Sequence, residues 1–174
     1  ANHMAIMKYF SENLDKLNGN IVAVAECDEE DSSMGIISAL DVLKDLKDKE
    51  DLDYQVYREI LNPRVENEML TPYKGYFQEH IDENNAVRFR KNPLDLVNWC
   101  NENITIFNEL NSQRIRMSPS GVWESKTTDD LSRDIFFVSV ARSLGIAAWK
   151  DEVTGKVQYR STSTGEVFDV DFTS

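Results

Sequence analysis

Residues 118–160 read SPSGVWESKTTDDLSRDIFFVSVARSLGIAAWKDEVTGKVQYR. Between Leu131 and Leu144 the apolar residues fall on most faces of a helix, so this helix must be surrounded by protein, with Phe137 and Val140 in the core. Gly145 directly follows it as a C-terminal cap, and Thr127 with Asp130 forms a weakened capping box ahead of it. Residues 146–150 and 156–160 flank Val153-Thr154-Gly155, which is a hairpin signal. A second turn over residues 161–165 leads into alternating Val167, Asp169 and Asp171 against Phe168, Val170 and Phe172. The expected C-terminal unit is a small antiparallel β-meander packed on one central helix, with Ser118-Pro119-Ser120-Gly121 as the turn before it.

Toward the N-terminus the pattern is helical. Ile6, Phe10, Leu14 and Leu17 have helical spacing before Asn18-Gly19-Asn20, and Ile36, Leu40, Leu43 and Leu46 mark a second helix. A third is expected over residues 54–61, stopped by Pro63, because the residue before a proline is pushed out of the α region. Pro72 and Pro93 look like first helical residues; the helix after Pro72 places Tyr73, Tyr76, Phe77 and Ile81 on one face, and the one after Pro93 runs from Leu94 to Ile106 or beyond. The fold class expected is α+β, with residues 5–113 as a helical lead-in and 114–174 as the core of the same domain. Residues 1–4, Ala-Asn-His-Met, read as the remnant of a cloning tag.

The chain has 174 residues, enough to bury one continuous core without disulfides or metal. Its net charge of -12 disfavours nucleic acid as a partner, since phosphate binding needs clustered Lys and Arg. Cys27 and Cys100 form neither a disulfide framework nor a Cys/His metal pattern, so no metal and no cofactor are expected. No apolar run has the ~18 residues of a membrane span. The acidic residues 28–31 lack calcium-loop spacing and read as a solvated loop.

The run Ser132-Arg133-Asp134, then a hydrophobic stretch, then Arg142-Ser143-Leu144-Gly145-Ile146-Ala147-Ala148, resembles the core of the transglutaminase-like superfamily, whose fold is related to papain-like cysteine proteases. In that family the helix begins Cys-Arg-Asp, and a histidine and an aspartate follow on adjacent strands. The segment from Asn62-Pro63-Arg64 to Phe77 is similar to the lead-in of multidomain exported bacterial members of this superfamily. The resemblance implies an extracytoplasmic, bacterial setting, in the periplasm or at the cell surface, and further domains downstream.

A thiol at a helix N-terminus is favoured as thiolate by the helix dipole, and an imidazole held by a carboxylate completes the site. Here Ser132 stands at the cysteine position, Gln158 or its neighbour at that of histidine, and Asp169 or Asp171 at that of aspartate. No histidine follows Ser132; the two in the chain are His3 and His80, the latter expected at the surface near a helix end. Catalysis is therefore not expected from the degenerate triad Ser132, Gln158 and Asp169. Arg133 and Asp134 read more readily as a structural ion pair than as substrate ligands. Trp99 is expected in the core, whereas Trp123 and Trp149, with Ser132 and Tyr159, are candidate walls of a ligand cleft.

The reading that follows is a catalytically inactive transglutaminase-like domain, a pseudoenzyme, that serves as a peptide- or glycan-binding or scaffolding module. The alternatives are a serine-dependent amidase, peptidase or acyltransferase completed by residues outside this chain, and a helical protein-interaction domain.

Overall fold

The computed structural model describes residue 55 and residues 57–172. The helices expected over residues 5–17 and 36–46, the acidic stretch at 28–31 and Cys27 lie outside the described residues. The element order is a π-helical turn (Tyr57–Leu61), α1 (Tyr73–His80), α2 (Glu83–Lys91), α3 (Leu94–Asn103), β1 (Thr105–Ile106), a 3-10 turn (Asn108–Asn111), α4 (Pro119–Ser125), β2 (Thr127–Thr128), α5 (Asp130–Ser143), β3 (Ala148–Lys150), β4 (Val157–Arg160) and β5 (Val167–Asp169). The architecture is α+β.

Helix α5 is the centre of the core. Every residue from 135 to 141 has no exposed area, including Phe137 and Val140. A helix apolar on all sides needs neighbours on all sides, and α1, α3, α4, β3 and the π-helical turn supply them. The N-cap is Asp129, two residues after the Thr127 that the expected capping box puts there, and its carboxylate accepts from Ser132 N at 2.8 Å. At the other end Gly145 takes φ +77°, donating to Arg142 O at 3.1 Å, while Ile146 N reaches Ala141 O at 2.9 Å. This paired-bond ending requires a left-handed residue, which glycine adopts without strain.

Several local expectations shift for identifiable reasons. Ser118 to Gly121 opens helix α4 instead of making a turn: Ser118 Oγ accepts from Gly121 N at 3.2 Å, and Pro119 occupies the first turn, where it withholds no needed donor. A Cβ on Gly121 would stand 3.0 Å from that Oγ. Pro72 and Pro93 occupy N-cap positions, one residue earlier than expected. Helix α3 stops at Asn103 because Thr105 and Phe107 give their N–H groups to Lys126 O and Thr128 O, both at 2.8 Å, which makes β1 and β2 a parallel pair.

The meander has order β3-β4-β5, antiparallel throughout. Alternation along β4 buries Val157 and Tyr159 on the α5 side, where Tyr159 meets Phe137 at a ring separation of 6.5 Å. Gln158 and Arg160 accordingly project from the opposite face. Strand β5 stops at Asp169, short of the alternating pattern that runs to Phe172, although Val170 N still donates to Val157 O at 2.8 Å.

Candidate functional site

Ser132 sits in the first turn of α5, as the sequence places it, and is fully buried. Its Oγ donates to Asp129 Oδ2 at 3.0 Å and accepts from Met117 N at 3.0 Å. Both directions of the hydroxyl are thus used to fasten residues 111–118 to the helix, because Asp129 also accepts from Asn111 Nδ2. Burial pushes the Asp129 carboxyl's pKa up, but the hydrogen bonds from Ser132 N, Asn111 and Ser132 Oγ outweigh it and hold the group below its ordinary range. A carboxylate held ionised in this way is a weak base for a serine hydroxyl.

Gln158 and Asp169 pair across β4 and β5, and Gln158 Nε2 donates to Asp169 Oδ1 at 2.8 Å. Lys156 Nζ binds the other oxygen of Asp169. The side-chain hydrogen bond holds the Asp169 pKa low. The structure thus joins two of the three triad positions, and among the described residues no hydrogen bond links this pair to Ser132, whose hydroxyl is taken up by Asp129 and Met117 N. His80 ends α1, exposed and stacked on Tyr76 at a ring separation of 3.9 Å.

The aromatic candidates also separate. Trp123 lies within α4 and stacks on Trp99 at 4.9 Å, with Lys126 Nζ 3.6 Å from its ring centroid. Tyr159 is core. Arg133 pairs with Asp134 at 3.1 Å and covers the Phe172 ring at 4.0 Å. Asp134 continues through Lys150 and Glu66 to Arg116 in steps of 3.3, 3.5 and 3.2 Å. Neither Trp123 nor Ser132 lines the clefts of about 310, 370 and 500 Å³ formed by described residues. The largest of these runs between Arg133 on α5 and Lys156, Asp169 and Phe172 on the meander.

Trp149 does line a cleft, of about 370 Å³, with Arg58, Asn62, Arg64, Lys150 and Asp151 around it. The buried guanidinium of Arg142 builds it. Nε donates to Ala148 O at 2.9 Å, Nη1 to Asn62 O and Arg64 O at 2.8 Å each, and Nη2 to Arg58 O at 3.2 Å. One side chain thereby joins the 58–64 segment to β3 and fixes the two walls of the cleft. A second tie is Glu59, nearly fully buried, which takes both arms of Arg160 at 2.9 and 3.0 Å. Burial works to raise its pKa, yet the bonds from Arg160 and Arg58 prevail and hold it below its ordinary value.

Arg58, Glu59 and Arg142 were not among the expected site residues. A signal was present in Arg142, a charged residue in the last turn of a helix whose apolar residues fall on most faces, where burial demands partners. Among the described residues no group of three or more His, Cys, Asp or Glu is placed to hold a metal ion, and no helix is long and apolar enough to cross a membrane.

No family model matches the chain, and no solved structure matches it. Protein RocB of Bacillus subtilis (strain 168) is 41% identical over 52 residues, which is 30% of this chain and 9% of RocB. The match spans so little of either protein that it assigns no family.

Proposed function

We propose that this chain is a transglutaminase-like domain that has lost the family's acyl-transfer chemistry and binds a peptide or glycan. The observation that carries the reading is the state of Ser132: buried, with its hydroxyl committed to Asp129 and Met117 N, and with no imidazole facing it among the described residues. The helix followed by three antiparallel strands is the order the resemblance implies. Trp149 supports the binding side of the reading, because an indole on the wall of a cleft offers a flat apolar contact to a sugar ring or a peptide side chain. An extracytoplasmic location and a longer multidomain protein belong to the same proposal.

The test is to follow ammonia release from a glutamine-containing peptide and a primary amine with wild type, Ser132→Ala and Ser132→Cys. None should turn over. A thiol at position 132 would gain from the helix N-terminus, but the Asp129 carboxylate 3.0 Å from the present hydroxyl opposes a second negative charge, and no acid is placed to protonate the leaving amine. Turnover by wild type that disappears in Ser132→Ala would overturn the proposal and establish the serine-enzyme alternative.

A further inference from the structure

We propose that the Trp149 cleft recognises a peptide carboxylate, held by the guanidinium groups of Arg58 and Arg64. The inference rests on the binding reading above and gives it a ligand class. The chain carries a net charge of -12, so its overall field repels anions. The lining of this cleft nevertheless includes Arg58, Arg64, Arg142 and Lys150 against Asp151 and Glu152.

The four cations are not equivalent. Arg142 is occupied by backbone carbonyls, and Lys150 is paired with Glu66 and Asp134. Arg64 makes one side-chain hydrogen bond among the described residues, from Nη1 to Glu68 O at 2.8 Å, and no described carboxylate forms an ion pair with it. Arg58 touches Glu59 through Nη2 at 3.1 Å, but both oxygens of Glu59 already receive Arg160, and the Arg58 side chain is 54% exposed. These two guanidiniums therefore retain donors for an incoming carboxylate, which a planar fork can bind through two bonds at once.

Neither Asp151 nor Glu152 forms an ion pair with Arg58 or Arg64. Asp151 spends Oδ1 on Val153 N, Thr154 N and Thr154 Oγ1, at 3.2, 2.7 and 2.8 Å. Peptide is favoured over sugar acid by the position of β3, an edge of the sheet. Trp149 pairs with Gln158 in the bonded register between Arg160 N to Ala147 O and Asp151 N to Lys156 O, so Lys150 turns its N–H and C=O outward beside the cleft.

The test uses the full chain labelled with ¹⁵N, and two probes that differ in a single carboxylate: acetyl-Ala-Ala-Gln with a free C-terminus, and acetyl-Ala-Ala-Gln amide. The Trp149 indole resonance, assigned through Trp149→Phe, should shift with the first probe and weaken as salt rises. Affinity should fall roughly tenfold for the amide and for Arg64→Gln, in line with loss of one charge-assisted interaction. Arg58→Gln should act in the same direction. Equal binding of both probes, or selective binding of a neutral oligosaccharide or a uronic acid, would overturn the carboxylate-peptide assignment while leaving a binding module. A Trp149 resonance unmoved by every probe, in a chain whose amide spectrum is folded, would remove both.

Discussion

The Arg142 guanidinium reaches across the turn that ends its own helix, donating from Nε to the Ala148 carbonyl at 2.9 Å. With its bonds to the carbonyls of Arg58, Asn62 and Arg64, the same side chain supplies donors to four backbone groups drawn from two distant parts of the sequence. Arg142→Ala should destabilise the domain by about 3–5 kcal/mol, because several carbonyls and the paired Glu59 region lose partners together. Arg142→Lys should recover only part of this, since one ammonium cannot span the four acceptors. Urea titration gives the loss, and amide exchange should rise first in residues 58–64. A loss under 1 kcal/mol with unchanged exchange would refute the assignment.

Phe137 is fully buried against Tyr159 and Phe172, with ring separations of 6.5 and 5.7 Å. Phe137→Ala removes the ring from the junction between α5 and the meander and leaves a cavity there. The expected cost is about 3–5 kcal/mol by denaturant titration. A cost below 1 kcal/mol would show that the helix and meander do not share a core in solution.

The Glu59–Arg160 pair makes stability depend on acid. The folded-state pKa of Glu59 lies below its ordinary value of 4.5, so the pair contributes fully at neutral pH and its contribution fades as pH falls below 4.5 through the lowered value. In Glu59→Gln this part of the acid dependence should be absent. Unfolding midpoints of the two proteins measured from pH 7 to pH 3 should converge toward the acid end; parallel curves would count against the coupling.

Cys100 is buried on the inner face of α3, and burial raises its thiol pKa to about 12 despite the opposing influence of Arg133 and Lys126. A thiol protonated and enclosed in this way is a poor nucleophile. Iodoacetamide at pH 8 should leave the Cys100 peptide unmodified in the folded protein and alkylate it in urea, as read by peptide mass mapping. Rapid labelling without denaturant would show that this part of the core opens.

The sequence by itself determined the central helix and its ending. Apolar residues on most faces of a 14-residue segment leave one outcome, enclosure, and a glycine after such a segment supplies the left-handed residue that ends it. The meander was equally legible, since turn residues and alternation are local properties, and so was the α+β class. Ser132 could be placed at the helix start from the same local pattern. What surrounds its hydroxyl could not be read there, because Met117 N approaches from a loop whose path depends on Asn111 and Asp129.

Tertiary structure alone decided the rest. The β1–β2 pair exists because residues more than twenty positions apart exchange backbone bonds, and neither strand carries enough residues to announce itself. Ser118 to Gly121 looks like a turn in isolation and becomes a helix start through its own capping serine and packing of α4 on α5. That Gln158 lies on the less buried face of β4 follows from the burial of Val157 and Tyr159, and a one-residue difference in register reverses that choice. The Trp149 cleft depends most fully on long-range order: Arg142 must meet carbonyls about eighty residues earlier, and the free energy of burying its charge is recovered only when all of them converge.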